Sequence, residues 1–142
     1  MSKGEGEATK RRTVCVDLDG VLAKYDGWVA ADVIGEPIEG AVEFVKWLLD
    51  RYEVVLYTAR LSDEHRERDR NIALVAIYKW LSDNGLDDVE VWQWKGKPVA
   101  SAYVDDRAVY CAPQRLNDDE DVGVLWQWTM TVVHEMVGRD DE

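Results

Sequence analysis

Little in this 142-residue chain could build a disulfide framework, a thiolate metal site or a histidine-centred relay, because it has only 2 cysteines and 2 histidines. Cys15 and Cys111 lie in separate apolar runs without metal-ligand spacing, so both are expected as reduced core residues. His65 and His134 have no serine, cysteine or second histidine at useful spacing, which leaves a histidine-based hydrolase without support. Proline occurs 3 times and glycine 10, with no low-complexity stretch, which excludes collagen-like and disordered chains. Nowhere do 18 apolar residues follow one another, and the opening MSKGEGEATKRR has no apolar stretch of signal-peptide length. The expectation is a cytoplasmic protein with no membrane span. Phenylalanine is nearly absent (1, against 7 Trp and 6 Tyr), so the large rings must find places that also satisfy an N–H or O–H.

What is present is a folding composition, 46% hydrophobic and 32% charged, of a size that fits one ordinary domain. The net charge of -12 repels polyanions, so broad nucleic-acid coating and an anionic membrane surface are both disfavoured. A local cationic site or a bound divalent metal can still accept a phosphorylated substrate, since short-range contacts outlast a screened net charge.

Residues 1–12 are small, polar and charged and are expected as a flexible tail, with Lys10, Arg11 and Arg12 solvated; residues 13–142 are expected as a single domain. Val14–Leu18 reads as a buried parallel strand that stops at Asp19-Gly20. Ala41, Val42, Val45, Leu48 and Leu49 repeat at helical spacing, and a strand follows over Glu53–Tyr57. A second helix is predicted from a Ser62 cap to Asn84-Gly85, turning Ile72, Val75, Ala76, Trp80 and Leu81 to the sheet. Strands are then expected at Val89–Trp92, Ala102–Val104 and Val109–Cys111, with a helical turn after Lys97-Pro98. A capping box, Asn117 with Glu120, opens a final helix ending near Gly138. This alternation predicts an α/β fold: a three-layer, Rossmann-like parallel sheet with helices on both faces and ligands beyond the C-terminal strand edge. Asp17, Asp19, Thr58, Lys97 and the Asp105-Asp106 pair all fall at that edge.

Asp17 and Asp19 stand two apart, so in an extended chain their side chains point the same way. A carboxylate can attack phosphorus, while a second acid is needed to protonate the leaving oxygen and later to activate water. Clustered acids require compensation, which Lys97 and Mg²⁺ provide; Mg²⁺ prefers a few hard oxygen ligands, a better match to these aspartates than to any His or Cys set in the chain. The reaction class this points to is metal-assisted phosphoryl transfer.

The segments VCVDLDGVLA, VVLYTAR, KGKPVA and AYVDDRAV together resemble the four ordered motifs of the haloacid dehalogenase superfamily. The resemblance spans Val14 to Val109. It implies that Asp17 is the nucleophile forming an aspartyl-phosphate and that Asp19 is the general acid and base, also offering its backbone carbonyl to Mg²⁺. It further implies that Thr58 and the backbone of Ala59 bind phosphoryl oxygens, that Lys97 neutralises nucleophile and phosphate, and that Asp106 ligates the metal with Asp105 outside the direct ligand set. The order of Asp105 and Asp106 stays open, and Lys95 is a rival for Lys97. An acid at position 19 argues for a phosphatase over a dehalogenase. The short spacings leave no room for a large cap, so the chain is similar to small capless phosphatases of bacteria and phages, with a phosphorylated small molecule or a polymer terminus (nucleotide, polynucleotide end or sugar) as substrate.

Arg60 either binds substrate or pairs with an acid, and Trp28 is either a ring over the site's mouth or a packing anchor. The helix after Glu120 carries Trp126, Trp128 and Met130 and is nearly apolar around its circumference, so it is either deeply packed or an interface, with a homodimer contact among the expectations. Two other functions compete. A phospho-receiver domain also uses paired acids, Thr and Lys, but places its acid pair on the first strand, whereas here the pair comes last. A non-catalytic binding or assembly protein could keep the fold and use the Trp-rich helix.

Overall fold

In the computed structural model of the chain, residues 11–140 are described. Four short strands, β1 (Thr13–Val16), β2 (Glu53–Leu56), β3 (Glu90–Val91) and β4 (Ala102–Val104), form one sheet in the order β3-β2-β1-β4. Every pairing is parallel, with Val16 opposite Leu56 and Val104, and Leu56 opposite Val91. Helix α1 (Ala41–Leu49) lies between β1 and β2 in the chain, and α2 (Glu67–Asp83) between β2 and β3. The α/β fold with a parallel, Rossmann-like sheet is as the alternating pattern predicts.

Val14, Cys15 and Val16 are consecutive and all buried, as are Val54, Val55 and Leu56. Successive strand residues point to opposite faces, so neither face of the two central strands is open to water, which is why these runs are continuously apolar. Leu18, Leu22, Val45, Leu48, Ile77, Leu81 and Leu86 complete the core. Helix α1 buries Ala41, Val45 and Leu48, the face its sequence marks, and begins after Gly40, whose φ of 85° suits only glycine well. The guanidinium of Arg11 donates to the carbonyls of Leu49 and Arg51 at the C-terminal end of α1, where a cation complements the helix dipole. The Arg12 carbonyl holds the strand start by accepting the Glu53 N–H at 2.9 Å. Both arginine side chains are exposed, as expected, with Arg11 also bonded to the end of α1; the rest of the expected tail, 1–10, lies outside the described residues.

Several details depart from the sequence pattern. Helix α2 starts at Glu67 rather than near Ser62; the Ser62 hydroxyl accepts the Glu64 N–H in a turn that precedes the helix. Its buried face is Ala73, Ile77, Trp80 and Leu81, while Ile72 and Val75 are exposed. Two apolar stripes of helical spacing compete along this segment, both ending in Trp80-Leu81, and the one passing through the small Ala73 is the one that packs. No helical turn forms after Lys97-Pro98. Val109–Cys111 is not a strand; the run stops at Pro113, which opens a 3₁₀ turn (Pro113–Arg115). The last helix, α3 (Asp119–Arg139), is capped by Asp118, whose carboxylate accepts the Glu120 N–H at 2.7 Å, one residue later than the predicted Asn117 cap.

Where the sequence suggests one domain, the structure divides into two compact units, the first ending at Asp106 and the second beginning at Arg107. The first holds the sheet, α1, α2 and the core. The second holds the 3₁₀ turn and α3, with Arg107 paired to Asp140 at 3.2 Å. No side chain of α3 is fully buried, and Val122, Leu125, Thr129, Val132 and Met136 are half-buried. Cys111 is exposed, against the expectation of a core thiol, while Cys15 is buried in β1 as expected.

Candidate active site at the sheet switch point

From β1 the chain moves outward on one side to β2 and β3, then returns to the opposite side of β1 as β4. Strand order therefore reverses between β1 and β4, the point beyond whose C-terminal strand ends open α/β sheets bind their ligands. Asp17 follows β1 directly, and Asp105-Asp106 follows β4. The Asp17 N–H donates to the Val104 carbonyl at 2.9 Å, which extends the pairing one step past the strands and draws the acids together. One carboxylate oxygen from each of Asp17, Asp105 and Asp106 lies within 4.8 Å of the others. Gly20 permits this closeness: its φ is +82°, and a Cβ there would run into the carboxylate of Asp106.

Asp17 is half-buried between the two exposed acids. Its pKa is pushed up to about 7, first by burial and then by Asp105, Asp106 and Asp19, against the pull of the Leu18 N–H, which donates to its Oδ1 at 2.8 Å. The neighbouring Cys15 thiol is raised to about 11, again mainly by burial, with Asp105 and Asp17 adding and Lys97 opposing; it stays a protonated, inert core residue. Three hard carboxylate oxygens, with no His or Cys among them, suit a small divalent cation such as Mg²⁺.

The resemblance brings Asp19 to the metal through its backbone carbonyl and leaves its side chain for proton transfer. Its carboxylate is absent from the three-acid set and instead receives the Arg60 guanidinium, Nε on Oδ2 at 2.7 Å and Nη2 on Oδ1 at 3.0 Å. Arg60 is buried, its side chain 4% exposed, so of the two readings the sequence left open it takes the ion pair. Thr58 stands just beyond β2, buried, its hydroxyl accepting the Arg60 N–H at 3.2 Å in the 3₁₀ turn Ala59–Leu61. Lys97 sits over the Tyr103 ring at 4.0 Å and its charge acts on the Cys15 thiol. Lys95 points elsewhere, 3.9 Å from Asp63, which separates the two rival lysines. Trp28 is 51% exposed, yet it stacks on His65 at 5.7 Å and lies over the Arg60 guanidinium at 5.1 Å.

The pattern of residues alone gives no sign of these ring contacts, of Tyr103 under Lys97, or of a cleft of about 420 Å³ beside Leu61 that includes Arg70, Asn71, Gln93, Trp94 and Lys95. The position of its lining, just after β2 and β3, is the one signal that places it at the ligand-binding edge.

No protein-family model matches the chain, and no curated protein does. Among solved structures, a conserved protein coded by a locus of Bacteroides thetaiotaomicron is similar, with a TM-score of 0.51 and 22% identity, over 86% of this chain and 92% of that one. That likeness shows a shared fold.

A native Asp17 pKa of about 7 has a definite consequence for stability. Between about pH 4, where the unfolded side chain titrates, and about pH 7, the folded state keeps a proton that the unfolded chain has released, so stability falls as pH rises through this window. Asp17→Asn removes the penalty. In metal-free buffer its melting temperature should exceed that of the wild type above about pH 7 and converge with it below about pH 4. A difference that does not change with pH would show that Asp17 is not the strained acid.

Proposed function

We propose that this protein is a Mg²⁺-dependent phosphomonoesterase working through an aspartyl-phosphate on Asp17. The observation that carries this reading is the convergence of Asp17, Asp105 and Asp106, distant in sequence, to within 4.8 Å at the switch point of a parallel sheet. The order and spacing of the motifs around Asp17, Thr58, Lys97 and Asp106 support it, as in capless phosphatases of the haloacid dehalogenase superfamily. Bound to Asp17, Asp105 and Asp106, Mg²⁺ would supply charge neutralisation for the phosphate and for the acids themselves.

In the proposed cycle a carboxylate oxygen of Asp17 attacks phosphorus in line, and the bond from phosphorus to the ester oxygen breaks. Asp19, which must take up a proton from solvent before this step, gives it to that leaving oxygen, releasing the alcohol and leaving the carboxylate that pairs with Arg60. Asp19 then takes a proton from water, whose oxygen attacks the aspartyl-phosphate, freeing inorganic phosphate and restoring Asp17. The Thr58 hydroxyl and the Ala59 backbone hold phosphoryl oxygens, and Lys97 balances their charge. The substrate is a phosphorylated small molecule or the phosphorylated end of a polymer, whose remainder would reach the cleft of Trp94, Lys95 and Arg70, where an exposed ring offers a stacking surface and the two cations stand beside Asp63 and Glu67. Among the described residues no helix is long and apolar enough to cross a membrane. With Cys15 and Cys111 both as free thiols, a cytoplasmic setting is consistent.

The test is turnover of p-nitrophenyl phosphate and a panel of phosphate esters with Mg²⁺. Asp17→Asn is expected to lower kcat by more than about 1000-fold, as loss of a covalent nucleophile does. Metal-dependent turnover surviving in that variant would contradict the scheme. Inertness of the wild type toward the whole panel would favour a non-catalytic assembly role instead.

One feature favours self-association alongside catalysis. Trp126, Met130, Val133 and Val137 are exposed and repeat at spacings of four, three and four along α3, the seam of a two-helix coil. We infer a homodimer through this helix. Equilibrium sedimentation should give a dimer for the wild type and a monomer for Met130→Glu; a monomeric wild type at micromolar concentration removes this reading.

A further inference from the structure

We propose that Arg60 is the positioning residue of this site, fixing the carboxylate of Asp19 and tying the 30–33 backbone to it. This rests on the phosphatase reading above, in which Asp19 moves the protons. A guanidinium has five N–H donors in one rigid plane, and here all five are used. Nε donates to Asp19 Oδ2 at 2.7 Å; Nη2 donates to Asp19 Oδ1 at 3.0 Å and to the Val33 carbonyl at 2.8 Å; Nη1 donates to the carbonyls of Ala31 at 3.1 Å and Ala30 at 3.3 Å. No donor remains for a substrate phosphate, and a side chain only 4% exposed is not offered to one.

The arrangement has the geometry of a holder. The backbone of Arg60 is fixed by its N–H on Thr58 Oγ1, so the turn that presents Thr58 to a phosphate also sets the root of the guanidinium. Trp28 covers the guanidinium at 5.1 Å and is itself stacked on His65 with an interplanar angle of 11°. A side-on, two-bond pair occupies one lone-pair site on each oxygen of Asp19 and sets the plane of the carboxylate; a remaining site is left for the proton that goes to the leaving oxygen and, once that is given up, for the O–H of a water. Lysine cannot reproduce this, because a single ammonium makes neither the fork nor the reach to three carbonyls.

A double-mutant cycle on kcat/KM, with p-nitrophenyl phosphate and an alkyl phosphate as substrates, tests the proposal. Arg60→Lys should lower kcat/KM by about 10- to 100-fold, the usual effect of removing the partner that orients a reacting group. In an Asp19→Asn background the same substitution should cost less than about twofold, because the residue it acts through is already gone. If Arg60→Lys fails to fold, Arg60→Ala with guanidinium ion in the buffer supplies the same arm, activity being restored where Asp19 is intact and not in the Asp19→Asn background. Losses that multiply in the double variant, or an Arg60→Lys enzyme with unchanged kcat/KM, would overturn the positioning role while leaving the phosphatase reading intact. A wild type that turns over neither ester removes both.

Discussion

Like charges brought close in a partly dry crevice are the constraint from which the rest of this site follows. Two carboxylates ~5 Å apart repel by up to about 3 kcal/mol at an effective dielectric of ~20, and by less where water reaches them. Asp17 meets two such neighbours while half-buried, and its raised pKa is the visible result. A fold gains nothing from such an arrangement by itself. The backbone nevertheless enforces it: the Asp17 N–H is bonded to the Val104 carbonyl, and Gly20 leaves room for Asp106 where any side chain would collide. The same crowding supplies a hard oxygen donor set for a divalent cation, and relief of the repulsion becomes a driving force for holding one.

The fourth acid is kept out of that crowd. Asp19 is only two residues from Asp17, yet it is paired with a buried arginine, so its charge is balanced by the protein. Two environments thus separate two carboxylates of similar intrinsic acidity. One is electrostatically strained and open to a cation and a phosphate; the other is neutralised and oriented. The pair with Arg60 favours the ionised Asp19, the form that takes a proton from water in the second half of the proposed cycle, and a cation on Asp17 would favour the ionised nucleophile. Arg60 reaches it from the turn after β2, and Thr58 stands in that same turn, so in the proposed cycle phosphate binding and proton handling would share one piece of backbone.

The central strands are legible in the sequence because burial on both faces demands continuous apolar runs, as in Val14–Val16 and Val54–Leu56. The site's position is legible because acids directly after such runs must lie at the strand ends. The α2 face is not, because Ile72-Val75 and Ala73-Ile77 make equally good helical stripes, and only packing chooses between them. Val109–Cys111 shows that strand-forming residues without a partner edge do not make a strand. The placement of Asp19 cannot be read from spacing, because the two-residue interval fixes where its Cα lies, while a contact 41 residues away fixes where its carboxylate points. Neither Trp28 on His65 nor Tyr103 under Lys97 leaves a mark in the pattern, since ring contacts across loops have no period.

Titration of the metal-free protein with Mg²⁺ in a calorimeter, repeated near pH 7 in two buffers of different ionisation enthalpy, bears most directly on whether the three acids act as one centre. A shared cation requires one site per chain, release of protons on binding because Asp17 begins partly protonated, and loss of that binding in Asp106→Asn. Absence of saturable binding, or binding that survives Asp106→Asn unchanged, would contradict it.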